Sequence, residues 1–405
     1  MDKIYMDNNA TTAVRPEVLE AMLPYYQEQF GNPASVHWAG RMVSGAIEKA
    51  REQVAGLFNC SPAEVIFISC GTEGDNHAIK GTADALKNKG NHIITTAVEH
   101  PAVLETCEAL ENDGYQVTYL PVDQDGMLDL AELEAAITEK TILISVMWAN
   151  NETGTIFPIA EIGEIARRHK VRFHTDAVQA VGKLPVDVQQ AKVDMAVISG
   201  HKIGAPKGVG AMYLRRGTRI GRFMHGGHQE RNRRAGTHNV AGIVGLGVAC
   251  QLALKNREDN YSYVRQLRDK LEQGILASIP EVKVNGHPNA DLRLPNTLNI
   301  SFNYIEGESL LLFFDMKGIA ASSGSACTSG SLEPSHVMGA MGVDIVLAHS
   351  STRFSLGVNN TEEEVDYVLS ELPPIVQRLR EMSPLYNRDG PAPFECEDCR
   401  MVHHG

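Results

Sequence analysis

Asp176 and Lys202 are the residues of this 405-residue chain whose types and placing most directly suggest chemistry. Asp176 closes the run VRFHTD, with Gln179 three residues on, and Lys202 follows MAVIS through Ser199, Gly200 and His201. Both runs read as strands from their β-branched content, so two strand ends deliver a carboxylate and an amine. A lysine amine can lose its proton in a shaped site and attack a carbonyl. An acid beside a pyridine nitrogen keeps that nitrogen protonated and makes the ring an electron sink, which is what a pyridoxal cofactor needs. The pair alone fits an ordinary surface lysine and a helix-capping aspartate equally well.

Further positions narrow the choice. VIFISCGTEG runs a strand into Gly71 and Thr72 at a helix start, where free backbone N–H groups and the helix dipole favour a phosphate; simple N-capping by Thr72 gives the same pattern. His100, between a strand and Pro101, suits stacking on a planar ring or proton transfer, and equally a satisfied structural histidine. In WANNETGT, Asn150 and Asn151 follow another strand, where an amide can contact a cofactor oxygen or a carboxylate, or simply form a turn.

These residues require a frame. From about Glu64 to Leu214, the runs VIFIS, HIITTAV, VTYLPV, TILISVMWA, VRFHTDA, MAVIS and GVGAMYL alternate with amphipathic stretches, including helices from Glu73 and Pro101. Such alternation predicts right-handed βαβ crossovers and a mostly parallel, buried sheet, with ligands outside the carboxyl ends of its strands. Near Asn260 the texture changes to a long helical pattern, then TLNISF, ESLLLFFDMKG, IAASSGS and a final helix, EEEVDYVLSELPPIVQRL, as in a smaller α+β domain. The expected boundaries are 13–259 for the large domain, 1–12 and 260–383 for the small one, and 384–405 for a tail rich in Pro, Gly and charge.

Composition is that of a globular enzyme: 43% hydrophobic and 21% charged residues, with a net charge of −13 that disfavours nucleic acid and anionic membranes as partners. No apolar run approaches the roughly 20 residues of a membrane span, and the N-terminal residues lack signal-peptide character, so the cytoplasm is expected. Seven scattered cysteines do not form a secreted disulfide framework. One of them, Cys327, lies in ASSGSACTSGS, a loop-like stretch without core-forming neighbours. An unperturbed thiol titrates at about 8.5, so a nucleophilic Cys327 needs a neighbour to take its proton.

With TEG, EHPAV, ANNETG, HTDAVQ, SGHK and APKGVG together, the sequence closely resembles the cysteine desulfurases of the nitrogen-fixation (NifS) type, within the class V aminotransferase family. The match spans nearly the whole chain, from YMDNNATT through GNPASVH, GGHQERNRRAGTHN and LPNTLNISF to SSGSACTSGSLEPSHVMGAM and TRFSLG. It implies an α/β fold of the aspartate aminotransferase-like type (PLP fold type I), with a large domain built on a mostly parallel seven-stranded sheet. It further implies that Lys202 forms the Schiff base with pyridoxal 5'-phosphate, Asp176 pairs with the pyridine nitrogen, Gln179 contacts the ring hydroxyl, and His100 stacks on the ring. Thr72, Ser199 and His201 would hold the phosphate, joined by Thr237 from the second subunit of a homodimer. Asn151 and Arg353 would bind the carboxylate of L-cysteine. Cys327 would take the sulfur as a persulfide, leaving L-alanine, and pass it to an iron–sulfur scaffold protein.

Some features stand outside this pattern. Gly74 and Gly204 occupy positions where the family more often has larger residues, and altered packing alone is expected. HGGHQERNRRAG, with His225, His228, Arg231, Arg233 and Arg234, could suggest a metal or polyanion site, but reads rather as phosphate and dimer-interface sequence, since it lies just before Thr237. No metal site is assigned; in the tail FECEDCRMVHHG, Cys396 and Cys399 with His403 and His404 form a weak metal, sulfur-relay or redox candidate beside an inert exposed tail. Two other functions stay open: a selenocysteine lyase or aminotransferase on the same scaffold, and a non-catalytic sulfur carrier that kept the fold.

Overall fold

The computed structural model describes residues 3–323 and 334–386. Cys327, Cys396, Cys399, His403 and His404 lie outside the described residues.

The strands, in chain order, are β1 (Ile4–Tyr5), β2 (Val65–Ile68), β3 (His92–Thr96), β4 (Gln116–Leu120), β5 (Thr141–Ser145), β6 (Arg172–Asp176), β7 (Met195–Ser199), β8 (Gly210–Leu214), β9 (Val282–Asn285), β10 (Thr297–Phe302), β11 (Ile319–Ala320) and β12 (Ser351–Ser355). Seven of them form one sheet in the order β2-β8-β7-β6-β5-β3-β4. It is parallel except for β8, which runs antiparallel to both β2 and β7. The seven apolar runs read from sequence are these seven strands.

Both faces of the sheet are covered, and side-chain alternation assigns each residue its face. Val65, Phe67, Ile144, Phe173, Ala196 and Ile198 join one core. Ile66, Ile68, Ile93, Leu143, Met195 and Val197 join the core on the other face, with Ala78 and Ile79 of the helix Gly71–Leu86 and Val103 and Cys107 of Pro101–Asn112. That helix lies close: a Cβ on Gly74 would come within 2.6 Å of Val197 and 2.7 Å of Ile68. The packing consequence expected at Gly74 is therefore a flush contact between helix and sheet.

A further core forms around β9, β10 and β12 and the helices Arg257–Ser278, Gly307–Met316 and Glu362–Met382. The start of the chain belongs to it. β1 pairs in parallel with β11, and Ile4 and Met6 are buried there. Val337, Met338, Met341 and Val343 pack instead in the first core of the large sheet. The IAASSGS run supplies only the short β11 before the described residues stop at 323. Among the described residues, no helix is long and apolar enough to cross a membrane.

Candidate active site

The site forms where β6 and β7 end side by side. Asp176 is the last residue of β6, is 8% exposed, and accepts a hydrogen bond from the Val178 amide at 2.8 Å. Ser199 ends β7 and is buried, and the chain then makes a single 3-10 turn, Gly200–Lys202. This turn places the amine two to three residues beyond the sheet, where a side chain can reach a ligand.

Residues 7–12 hold that turn from outside. Lys202 Nζ donates to the backbone oxygens of Asn9 at 2.5 Å and Ala10 at 2.8 Å. Thr12 donates to the His201 oxygen through both its amide and its hydroxyl, and His201 Nδ1 lies 3.1 Å from Thr11 Oγ1. The next residue but one, Gly204, has φ +83°, and a Cβ there would come within 2.5 Å of Arg15 Cγ. Glycine is thus required at 204 by both conformation and space.

Charge in the site is distributed by burial. Burial raises the Asp176 carboxyl, opposed by His100, the Val178 amide and Lys202. Burial lowers His100, opposed by Asp176 and reinforced by Lys202. Each of the three therefore feels the others. His100 also caps the helix Pro101–Asn112, its Nδ1 accepting from the Ala102 amide at 3.1 Å. That bond assigns the proton of the neutral ring to Nε2. His201 is pushed down to about 4 by burial, then Lys202 and Lys207, so its ring is neutral at pH 7.

Gln179 is 5% exposed and fixed at both ends of its amide: Nε2 donates to Asn9 O at 3.0 Å and Oε1 accepts from Lys183 Nζ at 2.7 Å. On the other side of the site, Arg353 is 3% exposed, with Nη1 donating to Asn151 O and Nη2 to Asp7 Oδ1, each at 2.9 Å. Its Nε is buried without a hydrogen-bond partner among the described residues. Asn151 is half-buried. Asn150 is spent on structure, its Oδ1 accepting from the Glu152 and Thr153 amides and its Nδ2 donating to Val98 O. Of the two asparagines, only Asn151 remains for a ligand.

At the start of the helix Gly71–Leu86, Cys70 is the N-cap residue and makes no side-chain capping bond. Thr72 is the second helical residue and exposed, so the N-capping alternative does not hold for it. A Cβ on Gly71 would meet Val178 Cγ2 at 3.1 Å and Ser199 Cβ at 3.8 Å, which brings the uncapped helix start against the ends of β6 and β7. Open amides at a helix start suit an anion. Thr237 is exposed. Arg234 pairs with Glu73 at 2.8 Å and Arg231 donates to Ala63 O, so both of these arginines are committed to the protein itself.

Sequence reasoning missed Asn9, Lys183 and Asp75. Asn9 is 1% exposed and joins Gln179, Lys183 and Lys202 to Asn296, Thr297 and Ser355. A second asparagine in DNNATT gave no signal of this, because its partners lie between 142 and 346 residues away. A cavity of about 790 Å³ opens beside the same segment, lined by Tyr5, Arg15, Lys183, Lys202, Tyr261 and Asn360 among others, but not by His100 or Asp176.

A mixed α/β sheet with an amine, a buried carboxylate and a histidine at its strand ends, next to an uncapped helix start, defines a fold type I pyridoxal-phosphate enzyme. The Aminotransferase class-V family matches residues 4–368, and the chain belongs to that family, in its cysteine desulfurase branch. It is 54% identical over 392 residues to cysteine desulfurase NifS of Azotobacter vinelandii, covering 96% of this chain and 97% of that one. Among solved structures, a NifS-like protein superposes with a TM-score of 0.87 at 41% identity, over 93% of this chain and all of that one. SspA, solved in complex with cysteine, is 35% identical with a TM-score of 0.78, over 88% of this chain and all of that one.

Proposed function

We propose that the chain converts L-cysteine to L-alanine and moves the sulfur, as a persulfide on Cys327, toward an iron–sulfur scaffold protein. The observation that carries this reading is the convergence of Lys202, Asp176 and His100 at or beyond the ends of β7, β6 and β3, where Asp176 and His100 each act on the other and Lys202 acts on both. The residues present fit pyridoxal phosphate: an amine for its aldehyde, a buried carboxylate for its ring nitrogen, and open amides at Gly71 and Thr72 for its phosphate. Lys202 would hold it, with Asp176 and Gln179 on the ring nitrogen and hydroxyl, His100 on the ring face, and Thr72, Ser199 and His201 on the phosphate. When bound, the cofactor supplies an electron sink for the bond broken at the substrate Cα.

The chain's own groups do the rest. Arg353, whose Nε has no partner among the described residues, and Asn151 orient the substrate carboxylate. Lys202 Nζ takes the Cα proton and holds it for return. His100 offers Nε2 for proton movement because Nδ1 is occupied by the Ala102 amide. The Cys327 thiolate attacks the substrate sulfur: the S–S bond forms as the Cβ–S bond breaks, the electron pair stays with carbon, and protonation of that carbon gives alanine. Cys60 and Cys107 are poor competitors, since burial pushes each thiol up to about 12.

The protein would act as a cytoplasmic homodimer in which Thr237 reaches the partner's phosphate site. Exposure of Phe30 (76%), Val36 (89%) and Trp38 (66%) near the start of the helix Trp38–Phe58 supports a second copy covering that surface. The reaction is tested by incubating the purified protein with cysteine and a thiol reductant and counting alanine and sulfide. Equal yields that vanish in Cys327→Ser, with the cofactor retained, support it. Pyruvate in place of alanine, or full activity in Cys327→Ser, sinks it.

A further inference from the structure

His174 and Asp176 are two residues apart on β6 and so project to the same face, toward the helix Gly71–Leu86. From the first turns of that helix comes Asp75, 1% exposed, its Oδ1 3.4 Å from Nε2 of the fully buried His174. Among the described residues neither of these two atoms has a hydrogen-bond partner, and 3.4 Å is longer than a formed bond, so each faces the other unsatisfied. The remaining ring nitrogen of His174, Nδ1, lies 2.9 Å from Ser145 Oγ on β5. The titratable groups that act on Asp75 are Asp176 from β6, Glu99 from the segment after β3, and Cys70 at the helix start. All three are acids, and each raises Asp75.

An ionised carboxylate with an orphan oxygen, surrounded by acids and removed from water, is costly, and so is an imidazolium beside it in the same dry site. One proton shared by a neutral acid and a neutral ring satisfies both orphan atoms. We propose that Asp75 and His174 form a neutral positioning pair, in which the Asp75 carboxylic acid donates to His174 Nε2 and His174 Nδ1–H donates to Ser145 Oγ, so that the negative charge of this acidic cluster is confined to Asp176. Burial, then Asp176 and Glu99, raises Asp75, while burial pushes His174 down to about 3. Glu99 is likewise neutral at pH 7, raised by burial to about 8. Thr96 and the Met147 amide favour the ionised form of Glu99 but do not outweigh its burial, whereas Asp176 has His100 and Lys202 acting for its ionised form as well as the Val178 amide.

The inference rests on the pyridoxal-phosphate reading for its consequence but not for its geometry, and two measurements separate them. In cofactor-free full-length protein labelled with ¹⁵N-histidine, NMR should show His174 neutral, with Nδ1 protonated, throughout pH 5 to 8. Titration of His174 in that range, or an imidazolium signature, overturns the pair whatever the cofactor does. In the holoenzyme, the ¹⁵N shift of the labelled ring nitrogen should be retained in Asp75→Asn, whose amide N–H can replace the acid proton. In Asp75→Ala it should move toward the unprotonated form, with kcat falling roughly tenfold, the scale of a lost outer partner. A ring-nitrogen shift altered equally in Asp75→Asn and Asp75→Ala means that Asp75 acts as a charge, and the proposal fails.

Discussion

Lys183 Nζ donates to Gln179 Oε1 at 2.7 Å, a bond that turns the Gln179 amide so that its N–H points at the Asn9 oxygen. Burial pushes the Lys183 amine down to about 7, helped by Lys202 and Arg353. An amine lowered from its usual value of about 10.4 binds fewer protons folded than unfolded between these values. Its effect is to make stability grow as pH rises from 7 toward 10. Urea unfolding of Lys183→Met should show a flatter pH dependence in that window than the parent, and an equal slope in both would contradict the assignment.

Arg51 and Glu230 make a buried two-pronged pair, 2.7 and 2.9 Å, which ties residues 229–238 to the helix Trp38–Phe58. Burial alone would raise Glu230, but His238 and Arg51 outweigh it and hold the carboxyl at about 2. Its stabilising contribution is present above the unfolded value of about 4.3 and is lost as pH falls toward 2. Removing one member leaves a buried charge, so Arg51→Met should cost about 3–5 kcal/mol by chemical denaturation at pH 7. The three residues Glu230, Arg231 and Asn232 with positive φ lie in the same segment, so the loss should also raise local hydrogen exchange there.

Glu99 carries the opposite sign. Its Oε1 accepts from Thr96 Oγ1 and the Met147 amide, both at 2.9 Å, while Oε2 is buried without a partner among the described residues. A carboxyl raised to about 8 contributes stability below the unfolded value of about 4.3, and loses it as pH climbs through 8. Glu99→Gln keeps the acceptor and removes the titration. Its melting temperature relative to the parent should rise steadily between pH 5 and 8; a constant difference would show Glu99 ionised throughout.

The fold was legible wherever burial on both sheet faces wrote long apolar runs, and the strand-end rule then put Asp176, Ser199 and Lys202 together. Local geometry refined single positions. Thr72 proved to be inside its helix because Cys70 takes the cap, and Asn150 proved to be a turn residue, its side chain bonded to the Glu152 and Thr153 amides. What the sequence hid was long-range: Asn9 and Lys183 act through partners brought near only by folding, and the antiparallel β8 looks like any other buried strand. Asp75 was hidden for another reason. It reads as an ordinary acidic residue early in a helix, and only its placement against His174 distinguishes it.

The central claim is a division of labour, with Lys202 handling carbon and Cys327 handling sulfur. Mass spectrometry of the protein after exposure to ³⁴S-cysteine without reductant tests it most directly. One added ³⁴S atom on the peptide carrying Cys327, absent when Lys202 is replaced by Ala, is the predicted result. Sulfur on another cysteine instead, or on Cys327 undiminished in Lys202→Ala, would contradict it.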